Sequence, residues 1–359
     1  MRCRYCFYAD VADSRAIRSY GIMSLETAEK ILNSVRADMS PGDRLSIAFQ
    51  GGEPTLAGID FFSGFFSLAD RILKGIRVSY AFQTNGLLLN EAWCRLLKER
   101  HVLTGLSMDG PPDIHNSQRP DAASKGSYNR ILASMNLLRR HGVMFNVLIV
   151  LTSSAARHPD SMWNWILKEN IKYVQFIPCL DGLETNNDSC FSLSPSEFRD
   201  FYLRIFSLWE RAVRNGQFIS IKLYDDLVNL FLAGSTTACG ISGKCTVQYI
   251  VEANGDVFPC DFYVLDQYKM GSIILNRPSE LKSAGTFFLD EMRGYTRSSP
   301  CISCSYYSAC GGGCKRMKNN MYFENGKCCY AELLDVILHP LLSLAEKIIH
   351  ERSIFSVHR

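Results

Sequence analysis

Nothing in the chain is built to cross a membrane as a helix. The longest apolar-rich run, MFNVLIVL at Met144–Leu151, is the length of a strand, whereas a spanning helix takes about 20 apolar residues. Charge of one sign is also missing. Lys and Arg number 39 against 36 Asp and Glu, a net charge of +3, too little to argue for nucleic acid or an acidic membrane as partner. No basic-and-apolar leader precedes Cys3, so no secretory signal is read and a cytoplasmic setting is expected. Low-complexity stretches and internal repeats are absent. What remains is 359 residues, 47% hydrophobic and 21% charged, ordinary for a soluble protein of one or two domains.

Cysteine is the residue in excess. There are 14, and nine lie between Cys239 and Cys329. In a short secreted chain this would read as a disulfide framework. A long, leaderless chain that can bury a core has no need of staples, and clustered thiols then point to metal or catalysis. Two more, Cys3 and Cys6, open the chain in MRCRYCFYAD, amid three aromatic rings and where termini usually fray.

The first half alternates strand-like and helix-like stretches. Strands are expected at Leu45–Gln50, Arg77–Gln83, Val102–Met108, Met144–Leu151 and Lys172–Ile177. Helices are expected at Ser24–Asp38, Asp60–Leu73, Glu91–Arg100, Ser127–His141 and Pro159–Glu169, with Ser24, Asn90 and Ser127 as caps. This is the rhythm of βαβ units around a parallel sheet. Five strands are read, and a sixth is expected ahead of Cys3, because functional loops in such folds follow strand ends. From Ser194 the rhythm changes to two helices, Pro195–Asn215 and Leu223–Leu232. A hairpin follows with Asn254-Gly255 as its type I′ turn, then the cysteine-rich stretch and a last amphipathic helix, about Ala331–His350. The boundary is placed near Ser235, giving domains 1–234 and 235–359.

Several stretches carry candidate chemistry. In AFQGGEPTLAG the pair Gly51-Gly52 lets the backbone approach a ligand, and Glu53 sets a carboxylate at the strand's mouth; alone, such a pair is more often a turn. In CISCSYYSACGGGCKRM, Cys301, Cys304, Cys310 and Cys314 are spaced for a four-thiolate site, which spacing alone leaves open between zinc and iron–sulfur. Nine thiols suffice for two such sites, which favours iron–sulfur. Asp261, directly after Cys260 in PCDFY, is a candidate base beside a ligand. Cys94, Cys179 and Cys190 stand apart and read as packing or loop residues. His115 and Arg119 follow a strand end; a solvated loop is the default for both.

Together these residues resemble a radical S-adenosylmethionine enzyme with a cysteine-rich extension of the SPASM type. Cys3-Arg4-Tyr5-Cys6 is similar to the last two cysteines of that family's C-x3-C-x-aromatic-C loop. YGIMS, AFQGGEPTLAG, QTNG, GLSMDGP, HN…R and CDFYVLD resemble the anaerobic sulfatase-maturating enzymes more closely, over nearly the whole chain. The resemblance places the loop's first cysteine two residues ahead of Met1, so that Met1 is expected to be an internal methionine taken for a start, or the chain a truncated product, and the chain as written to offer two of three thiolates.

The resemblance implies an α/β fold, a partial (β/α)6 TIM-like barrel followed by a SPASM domain. It implies S-adenosylmethionine and three 4Fe-4S clusters. One is the radical cluster on the Cys3 and Cys6 loop. The others are auxiliary, on Cys239, Cys245, Cys260 and Cys314 and on Cys301, Cys304, Cys310 and Cys328, with Cys329 the rival of Cys328. Tyr5, Gly52, Ser107, Arg119 and Leu180 are implied to contact S-adenosylmethionine. Asp261 is implied as the base, with Tyr8, Gln50 and Gln83 able to touch a peptide on the same rim. The implied reaction oxidises a Cys or Ser of an unfolded sulfatase polypeptide to Cα-formylglycine, with electrons exchanged with a donor such as flavodoxin or ferredoxin. Two other readings stand beside it: a maturase of another peptide, for example by thioether crosslinking, and a non-catalytic iron–sulfur peptide-binding protein.

Overall fold

The computed structural model describes residues 1–183, 190–293 and 299–356. Its central sheet has six strands in the order β1-β2-β3-β4-β5-β6: Arg44–Phe49, Arg77–Thr84, Leu103–Ser107, Phe145–Leu151, Tyr173–Pro178 and Ser220–Ile221. The pairs β1–β2, β2–β3 and β5–β6 are parallel. The first five lie where the alternation of apolar runs puts them, within a residue or two. The sixth strand of this sheet is one that the sequence did not announce. It is the two-residue Ser220–Ile221, paired with Tyr173 and Val174 between the helices Pro195–Arg214 and Lys222–Ala233. Two residues are too short to leave a periodic signal.

The expected helices form at Leu25–Ala37, Ile59–Ile72, Glu91–Glu99, Tyr128–Arg140 and Pro159–Lys168. Ser24 accepts from the Thr27 amide and Asn90 from the Trp93 amide, each cap contributing about 1 kcal/mol. Ile59–Ile72 buries Phe62, Phe65, Phe66 and Ala69, the i, i+3, i+4, i+7 face of one helix. The three rings meet Phe49, Phe82 and Trp93 edge-on at centroid distances of 5.0 to 6.2 Å. Each buried ring is worth about 1.5–3 kcal/mol. Among the described residues no helix is long and apolar enough to cross a membrane.

The chain divides into two compact units that interleave along the sequence. One comprises Met1–Met108, His115–Val147 and Thr246–Tyr295; the other Asp109–Ile114, Leu148–Cys245 and Thr296–Arg359. In the first, the hairpin segment packs on helix Leu25–Ala37. Val257, Met270, Ile273 and Leu281 form a small core against Ile31 and Val35. Ser34 donates to the Asn276 carbonyl at 2.8 Å, and the Ser279 amide donates to Asp38 at 2.7 Å. The hairpin pairs Ile250 with Phe258 and Val251 with Val257. Its turn is not type I′, because only Gly255, at φ 88°, has positive φ and Asn254 does not. The Asn254 side chain instead accepts from the Asp256 amide at 3.0 Å, as in a type I turn closed by a left-handed glycine.

In the second unit, helix Pro195–Arg214 starts with a capping box of Ser194 and Glu197, and the last helix runs over Cys329–Ser356.

Candidate active site and cysteine clusters

The loop after β1 turns on Gly51 and Gly52, at φ 80° and 35°. No atom lies within 4 Å of where a Cβ would stand on either, so the backbone borders open space. Glu53 does not reach into that space. Its carboxylate accepts from the Thr55 amide at 3.1 Å and hydroxyl at 2.6 Å, from the Thr84 hydroxyl at 2.7 Å and from the Asn85 amide at 2.7 Å. Glu53 therefore clamps the loop to the end of β2. Glu53→Ala leaves four donors to find new partners, and we expect a loss of about 3 kcal/mol in stability, read from the urea midpoint. An unchanged midpoint contradicts the clamp.

Asp261 begins a short 3-10 turn, Asp261–Tyr263, right after Cys260. The Tyr8 hydroxyl donates to its Oδ2 at 3.2 Å, and Gln50 is near enough to favour its charged form. Burial raises its pKa, Tyr8 and Gln50 oppose the rise, and the charge of Glu252 adds to it, leaving the carboxyl at about 6. Burial, with the neighbouring Asp261 charge, holds Tyr8 protonated far above the usual phenol range. Aromatic packing fixes this arrangement: Phe7 lies 4.0 Å from Tyr8 and 5.6 Å from Phe262. Gln50 and Gln83 directly follow Phe49 and Phe82, which are partners across β1 and β2, so the two amides stand side by side at the strand ends. Tyr8, Gln50, Gln83 and Asp261 all belong to one compact unit.

Cys3 lies in a loop whose backbone is tied to the segment around Arg119. Arg2 N donates to the Pro120 carbonyl and Arg4 N to the Gln118 carbonyl, both at 3.0 Å. The Arg119 guanidinium then reaches the Cys3 Sγ, Nη1 at 3.6 Å, and sits 5.4 Å from the Tyr5 ring centre. His115 and Arg119 are not solvated: they are 0% and 6% exposed. Ser127 does not cap its helix. Its hydroxyl donates to the Arg119 carbonyl at 2.7 Å and pairs with His115 Nε2 at 2.9 Å. Asn116 takes over the cap, accepting from the Tyr128 amide at 3.0 Å. Sequence reasoning had named both bracing residues but in other roles, His115 as a solvated loop residue and Ser127 as a helix cap.

Ser107 ends β3 and is buried, while Gly52 follows β1. These are C-terminal strand ends, where α/β sheets bind ligands. Leu180 follows β5 in the other compact unit, after the buried Cys179, whose amide donates to the Leu151 carbonyl at 3.0 Å. Burial, with Asp109 and Asp181 nearby, pushes the Cys179 thiol up to about 12, fitting a packing residue. Cys94 is likewise buried, and Cys190 is exposed.

The tail gathers thiols. Cys310 senses Cys304 and Cys301, and Cys328 senses Cys310, Cys301 and Cys304. Cys314 senses Cys239 and Cys245. Burial first, then this mutual repulsion, pushes Cys328 and Cys314 each up to about 11. Cys329 has a different set of neighbours within electrostatic reach: Arg199, Glu332, Glu324 and Asp200. Cys260 lies in the other unit, beside Asp261. Gly313, at φ 75°, must be glycine: a Cβ there would run into the Tyr322 ring. Among the described residues no three His, Cys, Asp or Glu converge closely enough to hold a single metal ion. An iron–sulfur cubane asks for something different, one thiolate on each of four separated irons. The sets here are all sulfur, the donor chemistry such a cluster takes.

A family model for the Radical SAM superfamily matches residues 1–153. The cysteine-type anaerobic sulfatase-maturating enzyme of Clostridium novyi (strain NT) is 38% identical over 96% of this chain and 95% of the relative. Its counterpart in Clostridium perfringens is 35% identical over 97% and 95%. The serine-type enzyme of Bacteroides thetaiotaomicron is 26% identical over 88% and 80%. The solved structure of native anSMEcpe with bound AdoMet and Cp18Cys peptide matches with a TM-score of 0.87 and 33% identity, over 97% of this chain and 96% of the other. With the thiol sets, the strand-end loops and this likeness running from end to end, the chain belongs to the anaerobic sulfatase-maturating enzymes of the radical SAM superfamily.

Proposed function

We propose that this protein oxidises a cysteine of a sulfatase polypeptide to Cα-formylglycine, using S-adenosylmethionine. The observation that carries the reading is the 38% identity to a cysteine-type enzyme through nearly all of both chains. The serine-type relative stands at 26%, which favours Cys over Ser as the target. Thioether crosslinking and a purely binding role are less favoured, because neither calls for a held carboxyl at Asp261.

When bound, the reduced cluster and S-adenosylmethionine supply a 5′-deoxyadenosyl radical that takes a hydrogen atom from the substrate Cβ. Cys3 and Cys6 would hold two irons of that cluster. Tyr5, Gly52, Ser107, Arg119 and Leu180 would contact S-adenosylmethionine, with Arg119 fixed by the bond from Ser127 to its carbonyl. Asp261 takes the thiol proton. A thiol of pKa about 8.5 is mostly protonated at neutral pH, so a positioned base matters. Tyr8 and Gln50 hold the carboxyl in place, and Gln83 lies beside Gln50 for a peptide amide. The substrate thus loses a hydrogen atom, a proton and one electron, and water then replaces sulfur as sulfide. Cys239, Cys245, Cys260 and Cys314 would hold one auxiliary cluster and Cys301, Cys304, Cys310 and Cys328 the other, and these would supply an acceptor for the electron. Four thiolates leave a cluster no open iron, which suits electron transfer. Residues 1–234 carry the radical chemistry and 235–359 the auxiliary clusters. A cytoplasmic protein with a flavodoxin or ferredoxin as electron donor fits this chemistry.

The test is anaerobic turnover. Reconstituted protein with S-adenosylmethionine, a reductant and a sulfatase peptide should yield the formylglycine mass from the Cys peptide. The tail should bind about eight irons with matching sulfide. A thioether mass in place of formylglycine, or one zinc with negligible sulfide, defeats the reading.

A further inference from the structure

Tyr330 stands in the first turn of helix Cys329–Ser356 and is 1% exposed. Among the described residues its hydroxyl has no hydrogen-bond partner. An unpaired buried hydroxyl costs about 1–3 kcal/mol, and native structures seldom tolerate one without a reason. Its ring lies 5.0 Å from that of Tyr322, which is also fully buried. The ionisable groups within electrostatic reach of Tyr330 are Cys310, Tyr202, Asp226 and Cys328. The Asp226 carboxylate is already engaged by Lys222 and Thr237. Cys314 of one thiol set and Cys310 and Cys328 of the other are all within electrostatic reach of Tyr322. The Tyr322 hydroxyl is occupied, donating to the Gly240 carbonyl at 2.6 Å. Of the two hydroxyls, only that of Tyr330 is left to donate.

We propose that the Tyr330 hydroxyl donates a hydrogen bond to a sulfur of the cluster held by Cys301, Cys304, Cys310 and Cys328, and so raises that cluster's reduction potential. The inference rests on the assignment of those four cysteines to a cluster. A reduced cluster carries one more negative charge, and a donor aimed at its sulfur stabilises that state more than the oxidised one. A higher potential makes the cluster a better acceptor for the electron leaving the substrate. The orphaned hydroxyl is then a donor whose acceptor arrives with the cluster.

Anaerobically reconstituted wild type, Tyr330→Phe and Tyr322→Phe are compared, first for iron and sulfide, then by redox titration followed by electron paramagnetic resonance. Tyr330→Phe should keep its iron and make reduction of this cluster about tenfold less favourable, a shift of about 59 mV to more negative potential for one electron. Tyr322→Phe should leave this potential in place. Wild type exchanged into D2O should show a deuteron coupled to the cluster that Tyr330→Phe lacks. An unchanged potential in fully loaded Tyr330→Phe overturns the inference and leaves the cluster assignment standing. Wild type that binds no iron on these cysteines overturns the assignment, and the inference with it. If Tyr330→Phe fails to load, the wild-type deuteron decides: no coupled deuteron overturns the hydrogen bond.

Discussion

Asp261→Asn should leave S-adenosylmethionine cleavage in place while formylglycine formation falls by a factor of about 10² or more, the range for losing a general base. The substitution keeps the size of the side chain and an oxygen for the Tyr8 hydroxyl, now at 3.2 Å from Oδ2. What it removes is the ability to accept a proton at neutral pH. In the proposed assignment cofactor cleavage rests on the Cys3–Cys6 loop and the Arg119 and Tyr5 pair, none of which bonds to Asp261 in the structure. The two readouts should therefore separate: 5′-deoxyadenosine appears at close to the normal rate and the oxidised peptide does not. Loss of both together, with iron also gone from the tail, makes Asp261 a support for the Cys260 loop. Normal formylglycine yield with all clusters loaded removes Asp261 from the mechanism, and Tyr8 becomes the next candidate.

The second large effect separates two adjacent thiols. Cys328→Ser should lose the cluster on Cys301, Cys304 and Cys310, lowering tail iron from about eight to about four per chain. Cys329→Ser should keep all of it. The reason is direction. Cys328 comes from the short strand Lys327–Cys328 and has Cys310, Cys301 and Cys304 within electrostatic reach. Cys329 opens the following helix and meets Arg199, Glu332, Glu324 and Asp200. Iron and acid-labile sulfide on the two purified variants give the answer. Equal iron in both, or loss in the reverse order, rejects the choice of Cys328.

Much of the fold could be read in the chain because its signals are local. LSIAFQ and RVSYAFQ are β-rich runs, and FFSGFF repeats its rings on one helical face; each reports its element without knowing its neighbours. Ser24 and Asn90 cap because the residue before a helix and the amide it meets are three positions apart. Ser127 shows where this stops. Its sequence context is that of a cap, yet the hydroxyl is drawn to the Arg119 carbonyl and His115, partners that only the folded chain brings close. Strand Ser220–Ile221 was invisible for the same reason: two residues become a strand only because Tyr173 and Val174 lie alongside. In the Asn254-Gly255 turn the pair foretold a hairpin, but the sign of φ at Asn254 was settled by the register of the strands.

The sequence by itself determined the chemistry available to this protein: an excess of thiols in two kinds of spacing, a glycine pair after a strand, and an acid next to a cysteine. Those are properties of residue type and order. The tertiary structure alone decided which groups face which. It turned Glu53 into a clamp, because four donors converge on its carboxylate. It buried Asp261 against Tyr8 and Gln50, residues more than 200 positions away, and desolvation in that setting moved its proton affinity. Among the described residues it left the Tyr330 phenol buried without a partner, within electrostatic reach of Cys310 and Cys328. Burial and convergence are sums over long-range contacts, and no window of sequence contains them.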